Sequence, residues 1–330
     1  MTVPVNFRAF RIRNDADGYR SGIESMSLGD LNPGEVVVKT AYSSVNYKDA
    51  LAGTGQGKIL RRFPLVGGID VAGHVVASTS PGFKEGDAVL VTGSGLSETR
   101  DGGYAEYARL DAQWVVALPA GLSLRESMIL GTAGFTAGLA LLRMTENRQT
   151  PELGPLAVTG ATGGVGSLAI AIFSKAGYEV HAISGKPEHA AYLKSLGASE
   201  VLGRDALAGT SPMASARFGG GLDNVGGPML ASLLAQTAPY GNVASAGLAA
   251  SPELSATVMP FIIRGVSLLG VASAGTARDI RDEVWRRLSS EWKPAGLETI
   301  CTRSIGLHGL HDVFDAMLAG GSLGRTVVQF

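Results

Sequence analysis

The sequence predicts an α/β fold: a doubly wound parallel sheet of the dinucleotide-binding kind, joined to a second domain that is mostly β. Three observations predict it. A strand-like run, Leu156-Ala157-Val158-Thr159, meets the glycine-rich turn Gly160-Ala161-Thr162-Gly163-Gly164-Val165-Gly166, and an apolar helical run from Ser167 to Phe173 follows and stops at Gly177. Strands and helices alternate from there to about residue 290, the pattern of βαβ units. Before residue 118, by contrast, short β-branched runs are separated by turn residues.

Taken in order, Val36-Val37-Val38-Lys39-Thr40, Val71-Ala72-Gly73-His74-Val75-Val76 and Ala88-Val89-Leu90-Val91 read as strands. They are cut by Asn32-Pro33-Gly34, Pro81-Gly82 and Glu85-Gly86-Asp87. Ser123 with Glu126 makes a capping-box pattern ahead of a helical run over 127–144, and the domain boundary is placed there. The mostly β domain is then residues 1–125, completed by about 293–330, and the nucleotide-binding domain is 126–292. Past the glycine turn come a strand over 178–183, a helix over 187–196, strands over 200–202 and 221–225, and a helix over 228–236. Strands over 241–246 and 266–271 and a helix over 277–290 follow. The tail Thr326-Val327-Val328-Gln329-Phe330 returns to β character and completes the first domain's sheet.

The glycine turn sits in a βαβ unit of the expected length, so it is read as a dinucleotide cradle, with the pyrophosphate on the N-terminus of the following helix. Where the second strand ends, an Asp or Glu would bind the ribose 2′-hydroxyl of NAD. Here the chain has Ser184-Gly185-Lys186. Without a carboxylate to repel a 2′-phosphate, and with a hydroxyl donor and a cation to hold one, the trio favours NADP.

At 330 residues the chain is long enough for about two domains, and 45% hydrophobic against 17% charged residues mark it as globular. With 28 basic and 29 acidic side chains the net charge is -1, which gives no attraction to nucleic acid or anionic lipid. The single cysteine, Cys301, excludes an internal disulfide framework and a multi-cysteine zinc site, and fits a reducing compartment. The stretch Met1-Thr2-Val3-Pro4-Val5-Asn6-Phe7-Arg8 lacks the apolar core of a signal peptide, and Gly, Thr or charges interrupt the apolar runs. The expectation is a cytoplasmic protein without a membrane span.

Further stretches extend the reading: Ser43-Ser44-Val45-Asn46-Tyr47-Lys48-Asp49-Ala50-Leu51, Gly68-Ile69-Asp70, Gly131-Thr132-Ala133-Gly134-Phe135-Thr136-Ala137, Tyr192-Leu193-Lys194-Ser195-Leu196-Gly197-Ala198, Val258-Met259-Pro260-Phe261-Ile262 and Gly324-Arg325-Thr326. Together with the glycine turn they resemble the medium-chain dehydrogenase/reductase superfamily, and within it the zinc-free quinone oxidoreductase branch that includes acrylyl-CoA reductase. The resemblance implies a Rossmann-type nucleotide-binding domain and a GroES-like catalytic domain. Zinc alcohol dehydrogenases of the superfamily hold a catalytic metal with an early Cys and a Gly-His-Glu segment. The matching segments here, Ser43-Ser44-Val45-Asn46-Tyr47 and Gly68-Ile69-Asp70, bring no thiolate or imidazole, so no metal site is expected and His74 is read as structural.

The resemblance implies reduction of a carbon–carbon double bond or a quinone by NADPH. It puts Tyr47 in the cleft beside the nicotinamide as catalytic group or cofactor contact, with Asn46 as the second catalytic candidate and Lys48 and Asp49 around them. It carries pyrophosphate binding onto Thr162, Gly163, Gly164 and Val165, and 2′-phosphate binding onto Ser184, Gly185 and Lys186, with Arg204 beside them. Leu248 and Ile262 are assigned to the nicotinamide side. Lys58, Arg61 and Arg62 form a basic cluster suited to the phosphates of CoA, or a solvated surface. The leading expectation is an acrylyl-CoA reductase type of reaction. An NADPH:quinone or small-enone oxidoreductase and a non-catalytic NADPH-binding protein are the alternatives. The apolar run Val266-Ser267-Leu268-Leu269-Gly270-Val271 reads as an uncovered sheet edge, from which a homodimer is expected.

Overall fold

A computed structural model describes residues 4–209 and 211–330, so the first three residues of the N-terminal stretch lie outside it. The chain divides into two units: Met1–Thr132, Ala274–Trp285 and Leu297–Phe330 form one, and Ala133–Ser273 with Arg286–Gly296 form the other. The division falls after Thr132 rather than at residue 125, and the segment Ala274–Trp285 joins the first unit. Arg281 explains that placement. Its guanidinium is buried against the first unit, Nη1 donating to Thr92 O (2.9 Å) and Thr92 Oγ1 (3.1 Å).

In the second unit six parallel strands lie in the order Glu200–Leu202, Val180–Ile183, Leu156–Thr159, Phe218–Asp223, Thr237–Ser245, Ser267–Gly270. Numbered along the chain, this is the 3-2-1-4-5-6 order of dinucleotide-binding sheets. Every residue of Leu156–Thr159 and Val180–Ile183 is buried, as strands covered on both faces should be, which is why they read as mainly apolar runs rather than alternating ones. Phe218–Asp223 begins three residues before the predicted strand at 221, because Gly219 and Gly220, which look like turn residues, lie inside it. The order reverses between Leu156–Thr159 and Phe218–Asp223, so the carboxyl ends of these two strands define the switch point where such sheets bind ligands.

In the first unit a seven-stranded sheet runs Cys301–Ile305, Arg325–Gln329, Val36–Val45, Asp70–Ser78, Ala88–Thr92, Val116–Ala117, with Tyr107–Leu110 also paired to Val36–Val45. The C-terminal strand does complete it: Arg325–Gln329 lies antiparallel to Val36–Val45, with Thr326 opposite Val45. A smaller sheet holds the hairpin of Phe7–Asp15 and Gly18–Met26 together with Leu65–Val66.

Two first-unit helices are not among those predicted from the sequence. Tyr47–Thr54 is opened by an Asn46–Asp49 capping box and closed by Gly55 in the left-handed region (φ 74°). Leu310–Leu318 is a second helix, and it packs so closely that a Cβ on Gly53 would lie 2.2 Å from Phe314. The hairpin finishes the anchoring of Tyr47–Thr54: Ser21 Oγ donates to Gly53 O (2.6 Å) and Tyr19 Oη to Ala52 O, meeting last-turn carbonyls that lack helical partners.

The helix Leu124–Glu146 starts on the predicted capping box, Ser123 N donating to Glu126 Oε2 (2.8 Å) and Glu126 N to Ser123 Oγ (3.1 Å). It is interrupted at Gly131, where φ is 50° and ψ -155°. Its length and apolarity would suffice to cross a membrane, but 83% of its apolar window is buried, which makes it a core helix.

Candidate active site

At the switch point of the second unit, Gly160 takes φ 60° and the chain turns into the helix Gly164–Lys175. Gly163 is its N-cap, and no side chain caps the helix, so first-turn N–H groups are left to an outside acceptor at the positive end of the dipole. Gly166 allows the close approach. A Cβ there would lie 2.3 Å from Gly160 O and 2.8 Å from Ala161 Cα, so any larger residue would push the helix off the turn. Thr162 is buried in the same turn.

The end of Phe218–Asp223 supports the turn from the neighbouring strand. Thr159 Oγ1 donates to Asp223 Oδ1 (2.7 Å), and Asn224 donates from Nδ2 to Thr159 O (2.8 Å) and from N to Thr159 Oγ1 (2.9 Å). Burial pushes the Asp223 carboxyl up, and the hydrogen bonds from Thr159, Gly226 and Val225 hold it back down. Sequence reading missed Asp223 and Asn224. Their signal was two polar residues ending a buried strand beside the turn.

The structure brings the predicted 2′-phosphate residues together. Lys186 N donates to Ser184 Oγ (3.1 Å), and the exposed Arg204 lies across Gly185, where a Cβ would sit 2.5 Å from its Nε. Glycine at 185 therefore makes room for the guanidinium. Leu248 and Ile262 are exposed, at 64% and 75%, and neither belongs to the buried cluster formed by Ala157, Ile183, Phe218 and Leu233.

In the first unit Tyr47 opens its helix and is 48% exposed, while the residues that hold that helix are buried. Asn46 is the hub. Its Nδ2 donates to Asp70 Oδ2 (2.8 Å) and Asp49 Oδ2 (3.1 Å), and its Oδ1 accepts from Arg325 Nη1 (3.1 Å). With both amide hydrogens and the carbonyl engaged inside the protein, Asn46 holds its neighbours in place.

Asp70 also accepts from Ser44 Oγ and Thr132 Oγ1 (2.5 Å each) and from Thr132 N (3.0 Å), and Arg325 Nη2 stands 3.9 Å away. The helix break makes this possible: a Cβ at Gly131 would lie 2.7 Å from both Asp70 Oδ2 and Ser44 Oγ and 2.8 Å from Arg325 Nη2. Arg325 completes the set by donating to Ile129 O, Val45 O and Ser44 Oγ.

Such a set does not fit a catalytic zinc. The segments that would carry the metal's thiolate and imidazole present Ser43, Ser44 and Ile69, and the one carboxylate among them, Asp70, is enclosed by N–H and O–H donors and a guanidinium. Sequence reading named Asp70, Ser44, Thr132 and Arg325 in separate stretches but did not join them, because Asp70's three partners come from three other elements.

The basic cluster is exposed, and one member, Arg61, shares an acid with Lys48. Glu98 accepts from Lys48 Nζ (2.6 Å) and pairs with Arg61 Nη2 (3.0 Å), contacts with Lys48 first that hold its carboxyl below the usual range. Lys58 and Arg62 are exposed beside it in the chain.

Two sequence families match the chain: residues 32–120 match the alcohol dehydrogenase GroES-like domain and residues 164–290 the zinc-binding dehydrogenase domain. YhfP of Bacillus subtilis, assigned by name to the quinone oxidoreductases, is 46% identical over 98% of each chain. The acrylyl-CoA reductase AcuI of Ruegeria pomeroyi is 42% identical over 98% of this chain and 99% of its own. Among solved structures, Salmonella enterica YhdH in complex with NADP superposes with a TM-score of 0.95 at 43% identity, covering 98% of this chain and 99% of that one. YhfP with NAD bound gives 0.96 at 44% identity, covering 99% and 100%.

Proposed function

Because the chain belongs to the medium-chain dehydrogenase/reductase superfamily, in its zinc-free quinone oxidoreductase branch, we propose that it reduces the carbon–carbon double bond of an α,β-unsaturated acyl-CoA with NADPH, as in acrylyl-CoA to propionyl-CoA. Likeness to an acrylyl-CoA reductase along almost the whole chain is the observation that carries the substrate class. Arg204 lying over Gly185, beside Ser184 and Lys186 and with no carboxylate at the strand end, carries the choice of NADP.

When bound, NADPH supplies the hydride that adds to the β-carbon. Thr162, Gly163, Gly164 and Val165 would hold its pyrophosphate through backbone N–H groups, Ser184, Gly185, Lys186 and Arg204 would hold its 2′-phosphate, and Leu248 and Ile262 would meet the nicotinamide end. Addition of hydride leaves an enolate on the thioester, which needs a proton at the α-carbon. Tyr47 Oη delivers it, and the exposed phenol is reprotonated from solvent. Asn46 keeps Tyr47 at the head of its helix. Lys58, Arg61 and Arg62 draw in the phosphates of CoA.

A second reading follows from the equally extensive likeness to YhfP: an NADPH:quinone oxidoreductase. NADPH oxidation by the purified protein with acrylyl-CoA, a simple quinone and an unconjugated acyl-CoA, with NADH as cofactor control, separates the two. Preference for acrylyl-CoA with NADPH supports the thioester reading. Preference for quinone moves the protein to the second, and tight NADPH binding with no turnover on any acceptor leaves only a nucleotide-binding role.

The assembly proposed is a homodimer through the edge strand Ser267–Gly270, which ends the six-stranded sheet with Leu268 36% exposed; sedimentation as a monomer at micromolar concentration would contradict it. The location proposed is the cytoplasm, in keeping with one unpaired cysteine.

A further inference from the structure

Behind Tyr47 the first unit buries two carboxylates and one guanidinium around a single amide. Asp49, Asp70 and Arg325 are 2%, 0% and 3% exposed, and Asn46 touches all three. Two carboxylates that share one amide donor away from water repel each other and are each costly to ionise, and a proton on one relieves both costs.

Asp70 is met by two hydroxyl donors, two N–H donors and Arg325. Asp49 accepts three N–H bonds, from Asn46 N (2.9 Å), Asn46 Nδ2 (3.1 Å) and Ile69 N (2.9 Å). Burial first, and the nearby Asp70 second, push the Asp49 carboxyl up to about 7.

Other titratable groups face the pair. Tyr104, whose Oη donates to Ser44 O (3.1 Å) and which also hydrogen-bonds the Asp49 side chain, is held neutral by burial and by both carboxylates. Arg325 is pulled down by burial but held up by Asp70, Asp49, Tyr104 and Cys301. None of these changes charge near neutrality, so Asp49 is the group that does.

We propose that Asp49, buried beside Asp70 on the same Asn46 amide, is a positioning residue whose protonation sets the first turn of the helix that carries Tyr47. The link is direct: Asp49 Oδ2 holds the N–H of Asn46, the residue before Tyr47, and the side chain of the same residue. Losing the proton puts full charge on that oxygen, tightens both bonds and adds repulsion toward Asp70 across the shared Nδ2. Its bearing on turnover rests on the role given to Tyr47 above, so the test reads position rather than activity.

Two probes in one protein suffice. [13C]Aspartate labelling follows the carboxyls, and 4-fluorophenylalanine at position 47, which has no proton of its own to lose, reports where that ring sits. The expected result is a carboxyl titrating with a midpoint of about 7, a fluorine line that moves with the same midpoint, and loss of both in Asp49→Asn. A fluorine line that stays still from about pH 5.5 to 8.5, or moves alike in Asp49→Asn, overturns the proposal. Should Asp49→Asn not fold, the two midpoints in the otherwise unmodified protein decide it, and unequal midpoints overturn it. A protein that turns over no acceptor would fail the functional reading, while the carboxyl and fluorine midpoints would still decide the role of Asp49.

Discussion

The glycine turn of the second unit and the Asn46 network of the first both manage charge, in opposite ways. The turn leaves its helix N–H groups without a capping side chain and so offers them to a ligand's charge. The network closes on itself, with every polar atom of the Asn46 side chain engaged and Asp70 enclosed by donors. Unsatisfied groups bind what arrives; satisfied ones hold what is already there. Damage to the first kind should therefore appear in affinity, and damage to the second in stability and rate.

The largest effect should come from Arg325→Met. It strips the guanidinium from Asp70, Asn46 and three backbone or hydroxyl acceptors, and breaking a buried pair from one side costs roughly 3–5 kcal/mol, to be read from urea unfolding. A loss confined to NADPH affinity would break the comparison.

Next is a pH effect with a definite sign. Because the folded Asp49 carboxyl is raised from 3.8 to about 7, the folded chain holds a proton that the unfolded chain has released between those values. The stabilisation is full below about pH 4 and is lost as pH rises through about 7. Compared with Asp49→Asn, the unmodified protein should lose roughly 3–4 kcal/mol more of unfolding free energy between acid and neutral pH, and parallel pH curves would contradict it.

Tyr47→Phe keeps the ring and removes the proton. It should lower kcat by about a hundredfold with little change in unfolding, measured as turnover of acrylyl-CoA. Arg204→Ala should raise the Kd for NADPH by roughly tenfold or more and leave NADH untouched, since one charge-assisted contact is lost and the fold is not disturbed. Smallest is Arg61→Ala with Arg62→Ala, which should raise KM severalfold for acyl-CoA but not for a quinone, because exposed charges act through a screened field and Glu98 already engages Arg61.

Much of the second unit was legible because local rules decide it. The strand Leu156–Thr159, the turn and the helix after it are contiguous, and the absent carboxylate at residues 184–186 is an adjacent signal. The first unit was less legible. Tyr47–Thr54 is eight residues with Gly53 and Gly55 near its end; its Asn46–Asp49 box and Gly55 cap are local, but the rest of its support comes from far away in sequence, from Tyr19, Ser21 and Phe314. Arg325 joins the network across 279 residues from Asn46, and no spacing rule reaches that far. Asp49 could be seen as a neighbour of Tyr47, but its raised carboxyl follows from burial beside Asp70, which only the fold provides.

The most direct test of the central claim uses NADPH carrying deuterium at the transferred position, with acrylyl-CoA in ordinary water and mass and NMR analysis of the product. The account predicts propionyl-CoA with one deuterium, on the β-carbon, and a solvent hydrogen on the α-carbon. Acrylyl-CoA recovered unchanged, while a quinone consumes the same NADPH, would contradict it.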